Sequence, residues 1–230
     1  MKKRPIYKIL LLALILILIV TSVFIFSNDN QKSEVTTIGE NVNGSVQKIT
    51  TGNLGSEDTA VIILGVHPRE HEVHEALNAT MKNITSTDNN LTKRFIIYYI
   101  VVNDNITSRN ETRAAGEQLA NQFIVPDIKN ETPFLVTDVH EIDRYYEYPN
   151  FIEAISNNTV TQNYIKNISK DIGIRNFDFK EGTSPELVTK PIANQGLNTI
   201  LFEVSITYKM EQKKEQARKL IYAIDNLERV

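Results

Sequence analysis

The chain has 230 residues, which suggests one domain plus an appendage rather than two large domains. Its hydrophobic content of 41% is that of an ordinary globular protein, so a real core is available. There is no cysteine, which excludes a disulfide framework and any thiolate metal ligand.

The first predicted element is apolar. Residues 9–26, ILLLALILILIVTSVFIF, carry no charge and follow Lys2, Lys3, Arg4 and Lys8. These eighteen uncharged residues, all apolar but Thr21 and Ser22, meet the length needed to span a bilayer. The expected order is a cytoplasmic basic tail at 1–8, a transmembrane signal-anchor at 9–26, and everything beyond on the outer side of the membrane. A cleaved signal peptide is the rival reading, but no small-x-small cleavage site precedes Ser27. Without the four basic residues of that segment, 21 basic and 28 acidic residues remain, a net charge of −7. An acidic surface argues against nucleic acid as a partner. An exported chain without cysteine points to a prokaryotic source.

Residues 27–44, SNDNQKSEVTTIGENVNG, are polar and aperiodic and read as a stalk. The domain is then expected over 45–230. SVQKI (45–49) is a short possible strand, and AVIILGV (60–66) is a strand apolar on both faces. Residues 71–84 repeat at helical spacing through Val73, Leu77, Met81 and Ile84. Strands follow at 94–102, 133–139 and 198–204, and helices at 112–124, 157–172 and 211–228. Alternating buried strands and amphipathic helices predict an α/β domain with a mainly parallel, mixed central sheet flanked by helices.

In such sheets ligands bind beyond the carboxyl ends of the strands, and the polar residues of interest collect there. His67 and Glu70 follow the first buried strand, Asp138 and His140 end the third, and Glu203 ends the fourth. Two histidines and one carboxylate with an open position form a catalytic zinc pattern, so His67, Glu70 and His140 are the candidate ligands of one Zn²⁺ ion. A zinc-bound water needs a proton acceptor, and Glu203 is placed for it. The bland readings are a helix-start carboxylate for Glu70, a cap for His67, a structural histidine at 140 and an internal salt bridge for Glu203. Asp138 precedes His140 by two, shares its side of the strand and could orient it. His71 and His74 read as non-ligands on the helix surface: H-E-x-H is one residue short of the H-E-x-x-H metallopeptidase helix, and His71 and Glu75 stand four apart, where they can pair on the helix surface.

GVHPRE, TDVHE and TILFEV together resemble, in order, three segments of the zinc carboxypeptidase family. The related aspartoacylase and succinylglutamate desuccinylase enzymes share that layout. The resemblance spans 60–205 through these short islands. It implies a zinc metallopeptidase with Glu203 as general base, then acid. It further implies an arginine that polarises the scissile carbonyl, matched best by Arg113 with Arg109 as rival, and an Asn-Arg pair that holds the substrate carboxylate. Asn121 matches the asparagine, whereas Gln122 departs from the arginine, which puts strict carboxyl-terminal specificity in doubt. The implied substrate is a peptide, with a cell-wall peptide in view if the domain faces the envelope. An N-acyl amino acid is the enzymatic alternative, and a degenerate domain that binds envelope peptides the non-enzymatic one.

One pattern stands outside this function. N-x-S/T sequons begin at Asn43, Asn78, Asn83, Asn90, Asn105, Asn110, Asn130, Asn157 and Asn167. With 23 Asn and 31 Ser plus Thr in the chain, about three are expected by chance, so the excess gives modest support for a glycosylating host such as an archaeon.

Overall fold

The computed structural model describes residues 13–17, 33–87, 90–179 and 183–229. The chain divides into two compact units, Met1–Lys32 and Ser33–Val230. In the first, 13–17 are helical and exposed. The rest of the expected tail and anchor lies outside the described residues. Among those described, no helix is long and apolar enough to cross a membrane.

The second unit is built on one eight-stranded sheet. Its strands are β1 (Glu34–Asn41), β2 (Gly44–Gly52), β3 (Thr59–Leu64), β4 (Arg94–Val102), β5 (Leu135–Ile142), β6 (Phe151–Ala154), β7 (Arg175–Asn176) and β8 (Thr199–Ser205). The order is β1-β2-β4-β3-β5-β8-β6-β7. The central run β4-β3-β5-β8 is parallel. β1 and β2 add an antiparallel hairpin at one edge, and β6 runs antiparallel to β8 near the other. The mixed α/β sheet agrees with the sequence pattern.

Four helices of two turns or more flank the sheet: α1 (His71–Thr87), α2 (Arg109–Leu119), α3 (Thr159–Ile172) and α4 (Met210–Asp225). The period-two alternation of β3 divides the core between two faces. Ile62 and Leu64 pack with Leu77, Met81, Ile165, Ile168, Leu220 and Ile221 of α1, α3 and α4. Val61 and Ile63 pack on the opposite face with Leu119 of α2, with Ile124 and Ile128 of the helical turns that follow it, and with Val188 and Ile192. Burial of both faces explains the unbroken apolar runs of the central strands.

Residues 34–41, expected as stalk, instead form β1, paired with β2 from Glu34↔Thr50 to Asn41↔Gly44. This edge strand is largely solvent-exposed, so its sequence carries no apolar alternation to betray it. β6 and β7 are too short for a periodic signal. Helix α2 begins at Arg109 rather than 112, because the Ser108 side chain accepts the Glu111 backbone N–H at 3.2 Å and caps the first turn.

Candidate metal centre

The site lies at the carboxyl ends of β3, β5 and β8. After β3 the chain turns sharply at Gly65, whose φ of +86° and close approach to the Ile100 carbonyl leave no room for a Cβ. The turn brings His67 and the short Pro68–Glu70 helix over the strand ends. His140 lies opposite Glu203 in the β5–β8 register, so the two neighbouring strands bring both residues to the same place.

His67, Glu70 and His140 converge. One ligand atom from each lies within 4.8 Å of the other two, and all three residues are buried. The Nδ1 atoms of both rings face the Glu70 carboxylate, His67 at 3.1 Å from Oε1 and His140 at 2.9 Å from Oε2. The ring centroids are 4.4 Å apart.

Each outer ring nitrogen meets a further carboxylate. Asp138 Oδ2 lies 3.0 Å from His140 Nε2 and accepts the Ser184 hydroxyl at 2.7 Å. The His67 Nε2 lies 3.0 Å from Glu117 Oε1, and Glu117 is held in turn by Thr183. Carboxylates on the far nitrogens fix ring orientation and raise ligand basicity. The His140 Nε2 makes no hydrogen bond among the described residues, so Asp138 stands beside His140 at ion-pair distance and acts on it by its charge. Glu117 and Ser184 were not singled out. Glu117 sits on a helix with ordinary polar neighbours, and only the fold reveals its face.

The charges are strongly coupled. Burial alone would raise the Glu70 pKa, but His140 and His67 hold it well below the usual carboxylate range. Burial would likewise lower that of His140, yet Asp138 and Glu70 push it well above the ordinary imidazole value. Two imidazole nitrogens and a carboxylate, supported from behind by carboxylates, are the donor set of a tetrahedral zinc site with one position left for water. The residues fit that ion.

Glu203 lines the same cleft of about 330 Å³. Its side chain is buried, and Oε2 has no hydrogen-bond partner among the described residues. Burial pushes its pKa up to about 8; His140 opposes that rise, and Glu70 and Asp138 add to it. A buried carboxyl of raised pKa in a cleft beside a cluster that could hold a metal ion is a candidate for proton transfer.

Helix α2 presents Arg109, Arg113 and Glu117 at successive steps of four. Gly116 lets it lie this close, since a Cβ there would overlap the Val66 carbonyl. Arg113 Nη2 donates to Glu70 Oε1 at 3.1 Å and lies 3.2 Å from His67 Nδ1. Its side chain remains 33% exposed to the cleft. Arg109 lines the cleft too.

Two expectations differ from the structure. The Asn121 Nδ2 donates to the Leu187 carbonyl at 2.7 Å, and Gln122 accepts from Asn41 at 2.8 Å. Neither residue lines the cleft, because the chain passes into helical turns packed on the outer face of the sheet. His71 is on the helix surface as expected, but His74 is 1% exposed. The His74 Nε2 donates to the Val139 carbonyl at 2.9 Å, placing the ring beneath β5 rather than in solvent.

No family model matches the sequence, and no curated protein matches it. Solved structures do match. The metallo-carboxypeptidase from Burkholderia cenocepacia superposes with a TM-score of 0.63 at 14% identity, covering 89% of this chain and 67% of that one. The metallo-carboxypeptidase from Pseudomonas aeruginosa, in complex with (2-guanidinoethylmercapto)succinic acid, gives 0.58 at 10%, covering 89% and 67%. The murein-tripeptide amidase MpaA from Escherichia coli O157 gives 0.52 at 11%, covering 84% of this chain and 92% of that one. The chain thus spans about two thirds of the length of the two carboxypeptidases and nearly all of the amidase. At these identities the likeness is one of fold. The chain has the metallo-carboxypeptidase fold, with a His-Glu-His group at the ends of its strands that could hold one metal ion.

Proposed function

We propose that this chain is a zinc-dependent hydrolase of amide bonds, a metallopeptidase of the carboxypeptidase type. The observation that carries the reading is the convergence of His67, Glu70 and His140 in the cleft that also holds the unpartnered Glu203. Bound zinc supplies an acidified water and polarises the scissile carbonyl. Glu203 would take the proton of the attacking water as its carboxylate and return it to the leaving nitrogen, the carboxylate form being favoured once a dication is held beside it. Arg113 reaches the same cleft and stabilises the developing oxyanion by a charge-assisted hydrogen bond. Glu117 holds the His67 ring in orientation, and Asp138 acts on His140 by its charge.

Arg109 supplies the substrate's anionic anchor. It lines the cleft and has no ionic partner among the described residues, in contrast to Arg113. A peptide with a free carboxylate meets this requirement, and so does an N-acyl amino acid. Residues 9–26 anchor the chain in a membrane, and the domain faces outward, where a cell-wall peptide is the accessible substrate.

The test uses the purified full-length chain. It should bind one equivalent of zinc and release free amine from N-acylated peptides. Glu203→Gln should retain the zinc while kcat falls by about 10²–10⁴, the usual contribution of a general base. Absence of bound zinc in zinc-supplemented protein, with His67→Ala and His140→Ala as stable as the parent, would overturn the reading.

A further inference from the structure

Of the nine sequons, the fold leaves four with both the asparagine and the hydroxyl residue exposed. We propose that Asn90, Asn105, Asn130 and Asn157 carry N-linked glycans. This rests on the outward-facing reading, because the transfer occurs only on the far side of the membrane.

The transfer needs two groups at once: the asparagine amide, and the hydroxyl two residues on. In four sequons both residues are exposed, as Asn90/Thr92, Asn105/Thr107, Asn130/Thr132 and Asn157/Thr159; the Thr92 hydroxyl makes only a long bond, 3.4 Å, to the Asp225 carbonyl. None of these asparagines lies in a helix of two turns or more. Asn90 lies between α1 and β4, Asn105 in the turn after β4, Asn130 in a single helical turn, and Asn157 before α3.

In the other five at least one group is withdrawn. Asn78 has a buried Oδ1 and is followed by buried Thr80. Thr112, which completes the Asn110 sequon, is buried as well. Asn43 donates its amide to Gln118 at 2.9 Å. Asn83 and Asn167 sit mid-helix; the Thr85 hydroxyl bonds back to the Met81 carbonyl at 3.0 Å, and the Ser169 hydroxyl is buried. None of the four presented asparagines lines the catalytic cleft, so sugars there leave it open.

The reaction balances with a lipid-phosphate-linked saccharide as donor. The Asn Nδ2 forms a bond to the anomeric carbon, the bond from that carbon to the phosphate oxygen breaks, the amide gives up one proton, and the lipid phosphate leaves. The product places a bulky hydrophilic group at the surface.

The experiment is site-resolved tandem mass spectrometry of the full-length chain from the cells that make it. It is paired with protease treatment of those cells intact. The expected result is saccharide mass on peptides containing Asn90, Asn105, Asn130 and Asn157, with Asn78 and Asn110 bare. If the protease cleaves the domain on intact cells yet all four asparagines are unmodified, the glycan proposal falls while the outward orientation stands. If all nine sites are modified alike, the selection by exposure is refuted. If the domain resists the protease and is bare, the orientation fails and the glycan proposal fails with it.

Discussion

Lys213 on α4 is fully buried, and its ammonium lies 2.6 Å from Glu141 Oε1 and also pairs with Glu72. The Glu141 side chain is 2% exposed, and Oε1 accepts the Val73 N–H at 3.0 Å. The Glu141 backbone N–H donates to Glu70 Oε2 at 3.2 Å, which ties this ion pair to the candidate metal ligand. Lys213→Met would leave the Glu141 carboxylate buried without its counter-charge. Removing one partner of a buried pair costs about 3–5 kcal/mol. For a domain of this size each kcal/mol shifts Tm by about 2–4 °C, so the expected loss is roughly 6–20 °C. Burial already raises the Glu141 pKa while Lys213 opposes that rise, so the variant should respond partly by protonating Glu141. Urea and thermal unfolding at pH 7 measure the effect. Lys213→Met/Glu141→Gln removes both charges while keeping an acceptor for Val73, and it should recover most of the loss. A single variant that loses under ~1 kcal/mol, or a double variant no better than the single, would refute the buried-pair account.

Other outcomes follow from the same geometry. His74 is buried and neutral, and burial lowers its pKa to about 4. The unfolded chain binds a proton near pH 6.5 and the folded chain does not until about 4, so stability should fall as pH drops through that window, by roughly 3 kcal/mol. His74→Gln, which keeps a donor for Val139, should flatten this slope in unfolding measured from pH 7 to 4; an unchanged slope assigns it to other groups. Asp138→Asn should weaken zinc affinity about 10–100-fold in competition titrations with a chelating dye, the usual cost of losing a carboxylate behind a ligand histidine. Arg109→Ala should lower kcat/KM on peptides with a free carboxylate by about tenfold, the low end for a charge-assisted hydrogen bond at an exposed residue. It should leave carboxyl-amidated peptides unchanged, and equal losses on both would remove Arg109 from carboxylate binding.

The convergence of the candidate metal ligands was legible because parallel strands end at one edge. His67, Glu70, His140 and Glu203 each follow an apolar run, and a buried carboxylate such as Glu203 interrupts its strand visibly. Residues that work from helices gave no such sign. Glu117 and Lys213 look like surface charges in a mixed polar sequence, and only packing against the strand ends buries them. His74 was misplaced for the same reason: it follows Val73 on the side of α1 that turns under β5. Asn121 fitted a short motif, but a chain that continues into π and 3₁₀ turns carries it to the outer face. The edge strand β1 escaped notice because its stabilisation comes from backbone pairing to β2, which leaves no trace in hydropathy.

The placement of Arg109, Arg113 and Glu117 on one helix makes α2 a ruler. Consecutive members stand about 6 Å apart along its axis. Under the proposed function they bear respectively on the substrate end, the reacting carbonyl and the ring of His67. Gly116 fixes the height of the ruler above Val66. These three functions therefore share one mechanical degree of freedom. Any substitution under α2 that tilts or lifts the helix would move affinity, turnover and metal retention together. Selection on one of them would carry the other two, so specificity can drift independently only through the loops on the far side of the cleft.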